Sequence, residues 1–161
     1  MSRAVLSLGS NLGDRLANLR IAVDGLAEVL VAVSPVYETA AWGVTDQPDF
    51  LNAVCVVDDP GTDAWGWLRR GQALENAAGR VRELRWGPRT LDVDVVVVDD
   101  VVSSDPELVL PHPGTHERAT VLIPWLDIDP EAIVPGRGRA DALLAALDAD
   151  GVRRRDDLEL R

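Results

Sequence analysis

Apolar positions open the chain as a short run, Ala4-Val5-Leu6-Ser7-Leu8, which reads as a strand closed by the turn-forming Gly9-Ser10-Asn11. Leu12, Leu16, Leu19, Val23, Leu26 and Leu30 follow at intervals of four and three in alternation, the single stripe of an amphipathic helix. Residues 31–37 read as a second strand and 50–57 as a third, with a loop of turn residues between them as far as Pro48. Asp58-Asp59-Pro60-Gly61 is a stop. A second helix is expected over 63–82, with Trp65, Leu68, Leu74 and Ala78 on its apolar side. After Gly87-Pro88, residues 91–98 form a strand that becomes continuously apolar, as a strand central in its sheet would. The order β-α-β-β-α-β is that of a ferredoxin-like α+β core, a mostly antiparallel sheet with helices packed on it. Extra C-terminal elements follow: an edge hairpin over 101–110, short helices over 117–125 and 141–147, and a charged segment, 153–161, that reads as a frayed tail. No repeat, low-complexity segment or composition break divides the sequence, so 1–161 reads as a single domain.

Composition adds charge to this picture. Of 161 residues 47% are hydrophobic and 27% charged, as in an ordinary globular protein, and the formal net charge of -11 argues against nucleic acid or an anionic membrane as partner. All 16 basic residues are arginines, and Arg80, Arg82, Arg85 and Arg89 fall within ten positions. An acidic chain that concentrates guanidinium groups in one place is suited to binding a small anion there; the alternative is a solvated charge run. Cys55 is the only cysteine, set in the apolar run Ala53-Val54-Cys55-Val56-Val57, so no intramolecular disulfide forms and the thiol reads as buried and inert. No stretch reaches the roughly 18 apolar residues of a membrane span, and the N-terminus has no leader pattern, so the expected compartment is the cytoplasm.

Asp92 and Asp94 are the most informative pair. Positions two apart in a strand point to one face, so both carboxylates project together while Leu91, Val93 and Val95 face the other way. Two carboxylates so placed suit magnesium, which takes one or two carboxylates together with water and substrate phosphates. The alternative is a pair of solvent-facing acids. Immediately upstream, Gly79-Arg80-Val81-Arg82-Glu83-Leu84-Arg85-Trp86-Gly87-Pro88-Arg89-Thr90 brings guanidinium groups that can neutralise phosphate oxygens. On the expected helix, Gln72, Glu75, Gly79 and Arg82 share a face suited to a nucleotide, although Glu75 and Arg82 could equally decorate a surface. His112, between two prolines in Leu110-Pro111-His112-Pro113, is held in a rigid segment, with His116-Glu117-Arg118 close behind. Two histidines and one distant cysteine do not make a zinc site. There is no P-loop for ATP and no nucleophile elbow.

Gly9-Ser10-Asn11, Asp46-Gln47-Pro48-Asp49-Phe50-Leu51-Asn52-Ala53, Gly79-Arg80-Val81-Arg82, Leu110-Pro111-His112-Pro113 and above all Arg85-Trp86-Gly87-Pro88-Arg89-Thr90-Leu91-Asp92-Val93-Asp94 resemble hydroxymethyl-dihydropterin pyrophosphokinase of folate biosynthesis. These motifs stand in family order from residue 9 to about 126. The resemblance implies the ferredoxin-like fold and transfer of a diphosphate from ATP to the hydroxymethyl group of a reduced pterin, releasing AMP. It implies two Mg2+ ions on Asp92 and Asp94, and nucleotide contacts from Gln72, Glu75, Arg80, Arg82, Trp86, Arg89, His112 and Arg118. Arg80, Arg82 and Trp86 then belong to a loop that closes over the substrates, and Arg80, Arg82 and Arg89 join the aspartates in catalysis. Pterin contacts map to Thr39, Trp42, Phe50 and Asn52, with Asn11 near the pocket. The expected protein is a monomer.

Two positions depart from the family pattern. Thr120 stands where the family usually has a phenylalanine that completes an aromatic sandwich around the pterin, and Phe50 is the only phenylalanine here. Thr39-Ala40-Ala41-Trp42 replaces the family's proline-containing run, and Trp42 is a candidate for the missing stacking face. Two other readings stay open: a magnesium-dependent phosphotransferase or nucleotidyltransferase with a different acceptor, and a non-catalytic ligand-binding regulatory domain.

Overall fold

The computed structural model describes residues 2–40, 48–79, 90–149 and 151–160. Its elements run β1 (Arg3–Ser10), α1 (Arg15–Gly25), β2 (Leu30–Val33), β3 (Tyr37–Thr39), β4 (Phe50–Asp58), α2 (Ala64–Ala77), β5 (Asp92–Val98), β6 (Ser103–Asp105) and β7 (Leu108–Leu110). A 3-10 turn (Thr115–Glu117), α3 (Ala119–Ile128), β8 (Ile133–Val134), β9 (Gly138–Arg139), α4 (Ala140–Ala145) and β10 (Arg153–Arg154) complete the chain. The main sheet is ordered β10-β3-β4-β1-β5, with β2 also pairing β4, and every pairing in it is antiparallel. Helices pack on both faces, which makes the fold α+β.

Period-two alternation sorts the strands between those faces. Leu6, Leu8, Leu51, Ala53, Cys55, Val57, Val93 and Val95 point toward α1 and α2, where Leu19, Val23, Leu26 and Trp67 close the larger core. Trp67 is fully buried and donates from Nε1 to Ser2 Oγ at 2.8 Å. Val5, Val54, Val56, Val96 and Val97 point the other way and meet Leu122 and Trp125 of α3. Both long helices start on an aspartate cap: Asp14 accepts from Ala17 N at 3.0 Å and Asp63 from Gly66 N at 2.7 Å. Cys55 is buried in the larger core, and burial pushes its thiol up to about 12, so it is inert at neutral pH.

Several expectations need correction. The stripe from Leu12 to Leu30 outruns its helix: α1 spans Arg15–Gly25, Leu12 is exposed and Leu30 belongs to β2. The strand expected over 31–37 is two strands, because Pro35 has no N–H for the ladder and Ser34 Oγ accepts from Val54 N at 2.9 Å instead. The second helix ends at Ala77, and Gly79 follows at φ 74°, a left-handed conformation that terminates it. β5 is the sheet's edge strand, not a central one. It is apolar because α2 covers one face and α3 the other, while its outer edge is occupied: Glu75 Oε2 accepts from Val93 N at 2.9 Å, and His112 N donates to Val96 O at 2.8 Å. The C-terminal segment is not frayed, since β10 pairs with β3, Arg155 N donates to Val36 O at 2.8 Å and Leu160 enters the larger core.

Candidate active site

Among the described residues, the face that α3 covers is covered only in part. Cross-strand partners in an antiparallel sheet present their side chains on the same side. The row Asp92–Gly9–Asn52 crosses β5, β1 and β4, and the next row is Asp94–Ser7–Val54. Beyond these rows the face becomes the apolar floor under α3. One sheet surface is therefore core at one end and an open polar platform at the other.

Asp92 and Asp94 are half-buried on this platform, with Leu91, Val93 and Val95 buried behind them, as the alternation predicts. Their β5 strand carries a bulge: Val5 faces Val97 and Leu6 faces Val95, so Val96 is the extra residue. The carbonyl of Val96 holds the His112 segment, and Thr115 Oγ1 donates to His112 O at 2.6 Å. These contacts bring His112 Nε2 to 3.6 Å from Asp94 Oδ1. Burial, with Arg118 nearby, holds His112 below the usual imidazole range, against the opposing pull of the Pro113 carbonyl and Asp92. Arg118 is exposed, its guanidinium lying over Gly114, where a Cβ would stand 3.3 Å from Nε. A cleft of about 290 Å³ runs from Asp94 and His112 along the outer edge of β5, between Leu68 of α2 and Glu107–Val109 of the hairpin.

On the other side of Gly9 lie Phe50, Asn52 and Thr39. Asn52 Nδ2 donates to Thr39 Oγ1 at 2.8 Å, and the Phe50 ring borders Gly9. Asn11 is buried and donates to Pro48 O at 3.2 Å, which fixes the start of the strand that carries Phe50 and Asn52. A larger groove of about 520 Å³ lies between β2 and residues 158–160, far poorer in polar side chains and away from both aspartates.

The sequence-derived set is thus brought together in two groups on one platform: Asp92, Asp94, His112 and Arg118 on one side, Thr39, Phe50 and Asn52 on the other. Gln72 is exposed and Glu75 buried as an anchor for the Val93 N–H, so the two do not present a common open face, and Gly79 lies beyond the helix end. Arg80, Arg82, Trp86, Arg89 and Trp42 lie outside the described residues. Among the described residues no group of three or more His, Cys, Asp and Glu side chains is gathered for a metal. A partly exposed pair of carboxylates nevertheless fits magnesium, whose other positions go to water and phosphate oxygens. Sequence reasoning took Gly9 for part of a turn, whereas β1 runs through it to Ser10, and it missed Ser7 and Thr115; the cross-strand register and the turn after His112 reveal their places.

A family model described as 7,8-dihydro-6-hydroxymethylpterin-pyrophosphokinase matches residues 5–130. The chain is 49% identical over 168 residues to the 2-amino-4-hydroxy-6-hydroxymethyldihydropteridine pyrophosphokinase of Mycobacterium tuberculosis, covering 95% of this chain and 89% of that one. The chain belongs to the HPPK family. Another HPPK, from Methylorubrum extorquens, is 46% identical over 158 residues and covers 96% of this chain and 99% of its own. Among solved structures, Plasmodium falciparum HPPK-DHPS wild type with SDX-DHP superposes with a TM-score of 0.64 over 90% of this chain and 43% of that chain, at 16% identity. An HPPK-DHPS in complex with substrates gives a TM-score of 0.67 over 95% and 46%, at 12% identity. The chain therefore spans less than half of those two longer proteins, and at such identities the likeness is one of fold. The HPPK family model stops short of the C-terminal elements from β8 onward, so the tail that pairs with β3 lies outside its match.

Proposed function

We infer that the protein transfers a diphosphate from ATP to the hydroxymethyl group of hydroxymethyl-dihydropterin, releasing AMP, in folate biosynthesis. The observation that carries this is the pairing of family membership with a platform that has two carboxylates at one end and an aromatic and amide pair at the other. Asp92 and Asp94 would hold two Mg2+ ions, which when bound would neutralise phosphate charge and stabilise both the attacking and the leaving oxygen. Phe50 offers a stacking face to the pterin, and Asn52 offers both a donor and an acceptor to its amide-like edge. Gln72, Trp86, His112 and Arg118 serve the nucleotide, with Glu75 acting from behind by holding β5 at the Val93 N–H; Thr39 and Trp42 serve the pterin, with Asn11 holding the start of β4. The hydroxymethyl oxygen attacks the β-phosphorus and an O–P bond forms. The bond from that phosphorus to the α–β bridging oxygen breaks, AMP leaves with that oxygen, and the hydroxyl proton passes to solvent. No covalent nucleophile is required. Arg80, Arg82 and Arg89 are assigned to the charge that builds on the phosphates.

The sheet order supports reading the core as ferredoxin-like, with β2 and β3 sharing the place of one strand. We take 1–161 as a single domain acting as a cytoplasmic monomer, with neither nucleic acid nor membrane as partner. The deciding experiment is incubation with ATP, Mg2+ and the reduced pterin. AMP and the pterin diphosphate should appear together. ADP in place of AMP would mean a single phosphoryl transfer and a different enzyme, and ligand binding without turnover would mean a regulatory domain.

A further inference from the structure

Gly9 is the penultimate residue of β1, paired on both sides at the centre of the Asp92–Gly9–Asn52 row. Glycine is costly there, by roughly 0.5–1 kcal/mol relative to alanine, because it has more freedom to lose and no side chain to pack. Two ordinary reasons for keeping it do not apply. Its backbone is not among the positive-φ glycines, so no left-handed conformation demands it. Packing does not exclude a methyl group either: a Cβ would stand 3.4 Å from both Asn52 Oδ1 and Phe50 Cδ1, ordinary van der Waals contact. What remains is the space above the residue. Adjacent strands lie about 4.8 Å apart, so the Asp92 and Asn52 positions are separated by roughly 10 Å with only Gly9 between them. A strand glycine with neither a conformational nor a packing reason marks a close approach by a ligand.

We propose that Gly9 is a positioning residue whose bare Cα keeps open the passage between the Phe50–Asn52 pocket and the Asp92–Asp94 pair, through which the acceptor hydroxyl reaches the β-phosphorus. The proposal rests on the diphosphate transfer inferred above. A methyl group at this point would lie against Asn52 and Phe50 without displacing either, and its main effect would be to obstruct the meeting of the two pockets' contents. Gly9→Ala should therefore lower kcat at least tenfold while KM for the pterin and binding of a non-hydrolysable Mg2+·ATP analogue stay within about twofold. Its thermal midpoint should equal or exceed that of the wild type, since alanine suits a strand better. Gly9→Val should lower kcat further. Gly9→Ala that turns over within twofold of wild type overturns the proposal, as does a loss of activity matched by a fall in thermal midpoint, which would make the glycine a packing residue. Wild-type protein that releases no AMP refutes the diphosphate transfer itself, and Gly9's role with it; active wild type beside an equally active Gly9→Ala refutes Gly9's role alone.

Discussion

Asp92 and Asp94 belong to the platform, and their side chains contribute nothing to either apolar core. Replacing either should remove metal binding and leave the fold standing. Asp92→Ala and Asp94→Ala are each expected to reduce AMP release by at least about a thousandfold, in keeping with the several kcal/mol that metal ions supply to phosphoryl transfer. Thermal midpoints should stay within a few degrees of wild type. A variant that retains near-wild-type turnover in Mg2+ would contradict the assignment. Thr120 poses a different question. It lies in the first turn of α3, half-buried, where the family's second stacking ring is absent. Trp42 is our candidate for that face. Aromatic pairs add about 0.5–1.5 kcal/mol beyond area burial, so Trp42→Ala should weaken pterin binding about two- to tenfold in a titration, leaving ATP affinity unchanged. Equal pterin binding by Trp42→Ala would make the indole structural.

At the scale of elements, the C-terminal segment is the part whose role sequence reasoning misjudged. Six of the nine residues from Arg153 to Arg161 are Arg or Asp and one more is Glu, which reads as solvated chain. The charges are solvated on one side only: Arg153 reaches Asp49 at 3.0 Å, Arg155 reaches Glu38 at 3.0 Å, and Arg20 donates to the Glu159 carbonyl at 2.8 Å. Leu160, 6% exposed, is the apolar anchor. Leu160→Ala should cost about 2–3 kcal/mol in chemical denaturation, toward the low end for a buried leucine because the site lies near the surface. A change below about 0.5 kcal/mol would mean that the tail is not anchored. The same contrast explains what was legible beforehand. β1, α1, β4 and β5 each carry a long periodic pattern, and Asp92 and Asp94 inherit their shared face from one of them. The break at Pro35, the helix end before Gly79 and the edge position of β5 depend on partners distant in sequence. The capping of β5 by Glu75 and His112 supplied from outside what the sequence suggested a neighbouring strand would supply. The sequence marks Gly9 as a motif residue, and its place between Asp92 and Asn52 comes only from the register of the sheet.

Across the whole molecule, one ionic cluster ties distant segments together. Glu38 on β3 accepts from Arg15 of α1 at 2.6 Å and from Arg155 at 3.0 Å, while Arg15 also donates to the Asp49 carbonyl at 3.0 Å. These arginines, Arg15 first, hold the Glu38 carboxyl below its ordinary value of 4.5, against the opposing effect of burial. A carboxyl lowered by folding stabilises fully above its unfolded value, and that contribution drains away as the pH falls through the lowered one. Glu38→Gln should therefore be less stable than wild type at pH 7, by on the order of 1–3 kcal/mol for a charged hydrogen bond. The gap should narrow as the pH falls below 4.5. A gap that stays constant with pH would show that the charge of Glu38 contributes nothing.

The bulge in β5 has a consequence for which changes of length the protein tolerates. Val95 to Val98 are four identical letters, all of them buried. Without Val96, Val97 would still face Val5 and Val95 would still face Leu6, strict alternation would return, and both aspartates would keep their side of the sheet. The carbonyl that tethers the His112 segment would be gone. A single-codon deletion in this tract would thus cost the core under α3 one buried valine and would also be felt beside Asp94, where His112 would have lost its mooring.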